Sequence, residues 1–499
     1  MTATDFLPRP QGVVAGPYID GVTDTSGRSS AVDDPATGGS AGEVFLAAPA
    51  HVDRAVAVAR PAQREWVALG AHERQRILGR CADGIRTNVD AIATLLAAEQ
   101  GKPLVDSRKE ILFGADVIDF YAAEAIRTVG EIRQSATPGI RSIVDRVSFG
   151  IVGAITPWNY PVDLWCWKVG GALAAGNAVI VKPPLETPLA CHHTAQLMIG
   201  AGLPPGVLAN LPGGADVATA LIDHPDVAMV SITASTATGR AAMATAAQTL
   251  TPLVLELGGH APFIVARTAD IETAAAAACR RSFSNMGQIC VAVNRILVEE
   301  SVADEFVDAL AAHVDRVETG DPLNPATAYG PVTTDAVRTT AHDHTTQALS
   351  AGARLIRGSV DLVDDGPGRY VSPILLDAVP RTATVVNDET FGPVVAVRRV
   401  PDLGAAIEEA NSLPVGLVAY LYGDDVTRLW SVAEQLEFGM IGINVNDTTE
   451  LQAPFGGWKL SGFGSELGRE GLNSYTRVRH IRMRMPADSP VPADRRDAP

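Results

Sequence analysis

Cys290 is one of five cysteines in the chain and has surroundings that suit nucleophilic chemistry. In Asn285-Met286-Gly287-Gln288-Ile289-Cys290, a glycine-containing loop leads to the thiol, and a strand-like stretch, 291–298, follows it. The thiolate is the attacking species, so such a cysteine needs backbone donors or a nearby base. Gly287 lets backbone approach closely. An isolated cysteine is otherwise an inert, buried small hydrophobe, and that reading is kept for Cys166 and Cys279, which fall in helical, apolar contexts. A base is available upstream. Glu256 closes the apolar run Leu253-Val254-Leu255 and is followed by Leu257-Gly258-Gly259. Burial there raises a carboxyl pKa toward neutrality, as a general base requires; the ordinary alternative is a strand-end charge or an ion-pair partner.

Three more stretches bear chemistry. In Thr156-Pro157-Trp158-Asn159-Tyr160-Pro161, Asn159 offers an amide donor, either as a helix cap or for a developing oxyanion. Lys182 ends a strand-like run just before Pro183-Pro184. Thr233-Ala234-Ser235-Thr236-Ala237-Thr238-Gly239-Arg240 opens a helix with small polar residues, where free N–H groups and the helix dipole favour a phosphate. No G-x-G-x-x-G occurs at this turn, so the standard Rossmann fingerprint is missing.

The elements that must hold these residues follow from hydrophobic periodicity. Residues 23–39 are rich in Gly, Ser, Asp and Thr and read as turns and short strands. From His51 to Gln100 apolar positions recur at helical spacing until Gly101-Lys102-Pro103 stops them. Between 150 and 258 short apolar runs (151–155, 178–181, 207–211, 227–232 and 253–257) alternate with alanine-rich helical segments. That alternation predicts a doubly wound parallel sheet, whose ligands lie beyond the carboxyl ends of the strands. A second α/β alternation follows, with strands at 263–265, 296–298 and 394–397 and a helix over 302–314. No internal repeat is found.

Composition narrows the function classes. The chain has 499 residues, with 40 Lys+Arg against 57 Asp+Glu and a net charge of −17. That balance, without a basic run, argues against nucleic acid or an anionic membrane as partner. No apolar stretch has the length of a membrane helix. The opening MTATDFLPRPQG lacks a basic then apolar secretory pattern. Cys81, Cys166, Cys191, Cys279 and Cys290 are odd in number and never spaced C-x-x-C, which fits neither a disulfide framework nor a zinc site. A soluble protein of the cytoplasm, without a metal, is expected.

Taken in order, TPWNYP (156–161), Lys182-Pro183, LELGGHAPFIV (255–265), GQIC (287–290), ETFGPV (389–394) and PFGGWKLSG (454–462) resemble the aldehyde dehydrogenase superfamily, from about residue 20 to 480. The fold this implies is α/β: a Rossmann-type cofactor domain over 1–129 and 149–258, an α/β catalytic domain over 259–458, and a small β oligomerisation arm over 130–148 and 474–486. The remaining 487–499 is Pro- and charge-rich and is expected to be disordered. The activity implied is NAD- or NADP-dependent oxidation of an aldehyde to an acid in a homodimer or homotetramer.

The resemblance assigns roles residue by residue. Cys290 matches the nucleophile, Glu256 the base, and Asn159 the oxyanion donor. Lys168 and Glu466 match a proton-relay pair. Ile155, Thr156, Trp158, Lys182, Leu185, Ser235, Thr238, Glu389 and Phe391 fall at cofactor positions. Many members carry Glu where this chain has Leu185, with the nearest acid at Glu186. That loss removes a like-charge clash with a 2′-phosphate and leaves the choice between NAD and NADP open.

Tyr160, Asp163, Leu164, Trp167, Ser284, Ile289, Val291, Asp447, Thr449 and Phe455 are expected to line the substrate tunnel. Succinate-semialdehyde dehydrogenases can carry an arginine just before the residue matching Lys168; here it is Trp167, which cannot pair with a carboxylate. Asp163, Asp447 and Glu450 among aromatic rings therefore favour a cationic or amino aldehyde, with an aromatic or apolar aldehyde equally open. The alternatives are a succinate-semialdehyde dehydrogenase, a cofactor-independent thiol esterase, and a non-catalytic protein retaining the fold. A CoA-acylating enzyme is disfavoured by Glu256.

Overall fold

The computed structural model of the chain describes residues 8–360 and 366–485. The tail expected over 487–499 lies outside the described residues.

The apolar runs between 150 and 258 form the parallel centre of an eight-stranded sheet. Its central order is Leu253–Glu256, Met229–Thr233, Ile151–Ile155, Ala178–Lys182, Leu208–Asn210. These strands read as continuous apolar runs because both faces are covered. The helices Pro161–Ala174, Leu189–Gly200, Ala215–Asp223 and Thr236–Ala246 supply the crossovers that parallel pairing requires. The chain starts at Ile151–Ile155, steps outward to Leu208–Asn210, then returns to the opposite side at Met229–Thr233. The order therefore reverses between Ile151–Ile155 and Met229–Thr233, and the loops leaving these two neighbours diverge into a crevice.

The edges of this sheet depart from the all-parallel expectation. Gly462–Phe463 pairs antiparallel with Leu253–Glu256, and Tyr18–Ile19 pairs antiparallel with Leu208–Asn210. Both are two-residue strands from distant parts of the chain; Val22–Thr23, equally short, pairs outside Tyr18–Ile19, and such short edges offer little to a foreign strand. Both pairings with the central strands are non-local, so strand periodicity does not reveal them.

The helical reading of 51–100 resolves into Pro49–Ala68, Gly70–Thr87 and Val89–Gln100, the last ended by Gly101 at φ 86°. A further long helix, Leu104–Ala125, packs on Pro161–Ala174. The second α/β alternation forms a seven-stranded sheet that includes Ala261–Val265, Val293–Glu299, Val394–Val400 and Val418–Tyr422, all parallel to their neighbours; its edge strand Arg354–Arg357 runs antiparallel. A separate antiparallel sheet is built from Glu131–Gln134, Ile140–Ser148 and Thr476–Arg484. Ile132, Val478, Ile481 and Met483 are exposed on it. Among the described residues, no helix is long and apolar enough to cross a membrane.

Candidate active site

The parallel strands end at the crevice, and the chemistry-bearing residues follow them. Ile151–Ile155 delivers Thr156 to Asn159, Ala178–Lys182 delivers Lys182, Met229–Thr233 delivers Ser235, and Leu253–Glu256 ends on Glu256 itself. Cys290 arrives from the other sheet, on the loop between the helix Ile271–Phe283 and the strand Val293–Glu299. That loop is sharply wound. Asn285, Met286 and Gly287 all have positive φ (47°, 55° and 73°), a conformation that costs energy for the two residues bearing a Cβ. Gly287 is required for space as well, since a Cβ there would lie 2.2 Å from the Gly392 carbonyl oxygen. The GQIC and ETFGPV motifs therefore pack directly on each other.

Buried amides hold this loop. Asn285 Nδ2 donates to the carbonyls of Asn159 (3.0 Å) and Gln288 (3.2 Å), and its Oδ1 accepts from Gln100 Nε2 at 3.0 Å. Gln288 Oε1 accepts from the Thr333 N–H at 2.9 Å. Asn159 is fixed at both ends: its carbonyl accepts from Lys102 Nζ (2.9 Å), and its Nδ2 donates to the Gln288 carbonyl (2.9 Å). One Nδ2 hydrogen remains for another acceptor. Lys102 is itself buried in an ion pair with Glu110, whose other oxygen accepts the Val162 and Asp163 N–H groups at the start of the helix Pro161–Ala174. Gln100, Lys102, Glu110 and Asn285 were not legible as site residues, because their partners are distant in sequence.

Cys290 lies where two cavities meet; both are lined by Asn159, Leu164 and Cys290. Burial, then Glu389 and Glu256, push its thiol up to about 12. The thiol therefore keeps its proton at neutral pH, and the thiolate fraction grows with pH all the way to that value. The other four cysteines are buried. Iodoacetamide alkylation of Cys290 is accordingly expected to accelerate about tenfold per pH unit between roughly pH 7 and 9 in enzyme without cofactor; peptide mapping of the labelled site checks this. A rate flat across that range would mean a thiolate already formed.

The Glu256 carboxyl is buried, and neither oxygen has a hydrogen-bond partner among the described residues. Burial, and then the nearby Glu466, raise its pKa well above the ordinary range, while Lys168 opposes them. Lys168 Nζ lies 2.6 Å from Glu466 Oε1 and 3.1 Å from Ser231 Oγ, all three side chains buried. A chain of exchangeable protons thus sits behind Glu256.

The larger cavity, about 700 Å³, runs from Cys290 into the crevice between the two diverging strands. Ile155, Thr156, Trp158, Lys182, Ser235, Thr238, Glu389 and Phe391 line it. Leu185 does not. Pro184 and Glu186 take its place, so the expectation at Leu185 is corrected. The chain bends over 185–187 just after prolines 183 and 184, and Glu186 rather than Leu185 meets the cavity; the acid missing at 185 is supplied one residue later. Glu186 is near enough to Lys182 to support its charge against burial.

The buried hydroxyls of Thr156 and Thr233, one from each side of the crevice, have no partner among the described residues. Ser235 Oγ caps the helix Thr236–Ala246 by accepting from the Thr238 N–H at 3.2 Å. Trp158 and Phe391 meet edge to face at 5.4 Å. Glu389 Oε1 accepts from the Gly259 N–H at 3.3 Å, and burial pushes its carboxyl up to about 8. A Cβ on Gly258 would lie 2.5 Å from Glu389 Oε2, so only glycine leaves Glu389 its place. Orphan hydroxyls, a helix N-terminus, a lysine and a carboxyl along one crevice fit a dinucleotide: phosphates at the helix, ribose hydroxyls at the acids and the lysine.

The smaller cavity, about 490 Å³, leaves Cys290 on the other side. Tyr160, Asp163, Leu164, Trp167, Ser284, Ile289, Val291, Asp447, Thr449 and Phe455 line it, together with Asp106, Lys109, Glu110, Phe113, Arg280, Arg281 and Asn446. Trp167 meets Phe455 edge to face at 5.1 Å. The expectation that Asp163 and Asp447 favour a cation is corrected. Asp163 Oδ1 accepts from Trp167 Nε1 at 2.7 Å, and burial, with Glu110 adding repulsion, raises its carboxyl far above the ordinary range and favours the neutral form. Asp447 is taken by Arg281, with Nη2 and Oδ1 3.0 Å apart. Glu450 is bound to Gln452 Nε2 and does not line the cavity.

Comparisons with known proteins agree with this geometry. A family model described as the aldehyde dehydrogenase family matches residues 22–481. Among curated relatives, the chain is 37% identical to a glutarate-semialdehyde dehydrogenase of Pseudomonas aeruginosa over 95% of this chain and 97% of that one. Among solved structures, a succinate-semialdehyde dehydrogenase from Burkholderia pseudomallei matches with a TM-score of 0.93 and 37% identity, covering 95% of this chain and 98% of the other. An NADP-dependent enzyme of E. coli matches with a TM-score of 0.93 and 35% identity over 95% and 98%.

Proposed function

The chain belongs to the aldehyde dehydrogenase family, and on that premise we propose that it oxidises a semialdehyde, an aldehyde carrying a distal carboxylate, with Cys290 as nucleophile. The observation that carries this reading is Cys290 at the junction of two cavities, one suited to a dinucleotide and the other walled by aromatic rings with guanidinium groups among them. A cationic substrate has no free carboxylate to meet there. The semialdehyde reading, first weighed against Trp167, gains support from the named relatives and from the cations of the tunnel wall.

Cys290 gives up its proton to Glu256, and its sulfur forms a bond to the aldehyde carbon. The carbonyl oxygen becomes an oxyanion, which the remaining Asn159 Nδ2 hydrogen and the Cys290 N–H stabilise. A nicotinamide held in the larger cavity would supply the acceptor for the hydride on the carbon bound to Cys290, leaving a thioester there. Glu256 passes its proton toward the Lys168–Glu466–Ser231 chain and is free again as a base. It then takes a proton from a water whose oxygen attacks the thioester carbon; the C–S bond breaks and the acid departs. Covalent catalysis here splits one hard step into two easier ones.

Lys182 and Glu389 would hold ribose hydroxyls, and Ser235 and the N-terminus of Thr236–Ala246 the phosphates. Glu186 beside Lys182 stands against a 2′-phosphate and favours NAD. Glu186→Gln is expected to raise kcat/KM with NADP about three- to fivefold relative to NAD, the modest effect of an exposed charge. Steady-state kinetics with both cofactors measures it, and an unchanged ratio removes Glu186 from cofactor choice.

The two larger sheets correspond to the proposed cofactor and catalytic domains. The exposed antiparallel sheet with Ile132, Val478, Ile481 and Met483 is the proposed oligomerisation arm, making the partner a second copy of the chain.

Steady-state rates over succinate semialdehyde, glutarate semialdehyde, butanal, benzaldehyde and 4-aminobutyraldehyde test the substrate reading. The semialdehydes are expected to have the highest kcat/KM. A preference for the amino aldehyde would overturn it.

A further inference from the structure

The substrate cavity presents one well-held cation. Arg281 stands on the last turn of the helix Ile271–Phe283, nine residues before Cys290, with its side chain 12% exposed. Its Nε donates to the Asn446 carbonyl, and Nη2 faces Asp447 Oδ1 at 3.0 Å. A guanidinium has five N–H donors, so three have no partner among the described residues, and the residue lines the cavity. Burial works against its charge, but Tyr420, Asp447 and Tyr160 hold its pKa above the usual range. It also lies within electrostatic reach of Cys290, whose thiol pKa it lowers against the stronger effect of burial.

Arg280, beside Arg281 on the helix, also lines the cavity but is exposed, and the remaining charges of this wall are paired or hydrogen-bonded. Glu110 is paired with Lys102, Lys109 with Asp106 at 2.8 Å, and Asp163 is hydrogen-bonded to Trp167. Lys109 is 72% exposed and held only by that surface pair. Asp447 differs from the buried acids. Its side chain is 61% exposed, on the loop that follows the strand Met440–Ile443, and its Oδ1 also accepts the Thr449 N–H at 3.0 Å. A carboxylate of the protein's own thus occupies one edge of a guanidinium that faces the substrate cavity.

We propose that Arg281 is the specificity-determining residue that binds the distal carboxylate of the substrate, and that Asp447 occupies part of that site when no substrate is present. This rests on the semialdehyde reading above. The arginine that Trp167 replaces is thereby supplied from a different element, the helix leading to the nucleophile. A planar fork accepts a carboxylate through two parallel N–H···O bonds, and the aromatic walls of Phe113, Trp167 and Phe455 fit the methylene chain between the two ends. Asp447 neutralises the guanidinium in the empty tunnel and competes with the incoming carboxylate, so it sets the KM for charged substrates.

Three variants test this with succinate semialdehyde, glutarate semialdehyde and butanal: Arg281→Gln, Arg281→Lys and Asp447→Asn. Arg281→Gln is expected to raise KM for the semialdehydes about 30- to 100-fold more than for butanal, with kcat affected much less than KM. Arg281→Lys recovers part of that loss. Asp447→Asn lowers KM for the semialdehydes severalfold, and this gain disappears when Arg281 is glutamine. If the wild-type enzyme does not favour semialdehydes over butanal, the substrate reading itself fails and this proposal falls with it. If it does favour them, but Arg281→Gln changes KM equally for charged and uncharged aldehydes, only the assignment to Arg281 is overturned. Should Arg281→Gln not fold, a rise in semialdehyde KM on Asp447→Asn overturns the competition between the two carboxylates.

Discussion

Cys290→Ala is expected to lose aldehyde oxidation by about 10⁴-fold or more while binding NAD as the wild type does. The size of the effect follows from the chemistry. Without the sulfur no thiohemiacetal forms, and no other cysteine lines either cavity. The retained binding follows from the geometry, because Lys182, Ser235 and Glu389 belong to other strands and loops than the thiol. The resting thiol is neutral and lies at the junction of two cavities, so its removal is expected to change stability little. Steady-state rates and calorimetric titration with NAD separate the two properties. Near-normal turnover in this variant would refute covalent catalysis at Cys290.

Glu256→Gln should divide the reaction in two. A glutamine keeps the volume and the buried position but takes no proton from water. Acylation needs a base only once, and an external base or higher pH can replace it; every hydrolysis needs Glu256. The expected result is a burst approaching one reduced nicotinamide per subunit, then a steady rate about 10²- to 10⁴-fold below wild type. The pH dependence carries a sign. The Glu256 and Cys290 pKa values are both raised by burial, so the wild-type rate climbs as pH rises. In Glu256→Gln the burst should still climb with pH, through the thiol, and the later slow phase should lose that dependence on the carboxyl. A burst followed by an undiminished steady rate would assign the water-activating role elsewhere.

Sequence alone carried the catalytic centre further than it carried substrate choice. The reason is geometric. Asn159, Lys182, Ser235 and Glu256 lie at or just beyond the carboxyl ends of buried parallel strands, and apolar runs mark those ends plainly. Apart from Glu450, the residues expected around the tunnel line one cavity, since each lies close in sequence to a catalytic motif. What escaped depends on side-chain direction or on long-range pairing. Leu185 and Glu186 are neighbours, and only the set of the chain after two prolines decides which faces the cofactor crevice. Asp163 reads as an anion, yet burial and the repulsion of Glu110 favour the neutral acid against the opposing hydrogen bond from Trp167. Arg281 reads as an ordinary helix-end cation; the left-handed turn at Asn285, Met286 and Gly287 returns the chain so that the arginine and the nucleophile share one cavity. The amide network of Gln100, Asn285 and Gln288 joins residues up to 185 apart, which periodicity cannot register.

Covalent catalysis requires an acyl bond on the Cys290 sulfur. Glu256→Gln mixed with a saturating semialdehyde and NAD, quenched in acid during the burst and digested, tests it by peptide mass spectrometry. The expected result is an acyl adduct of the substrate's mass less two hydrogens, confined to the peptide containing Cys290. Reduced nicotinamide formed in the burst with no adduct, or with the adduct on another residue, would contradict it.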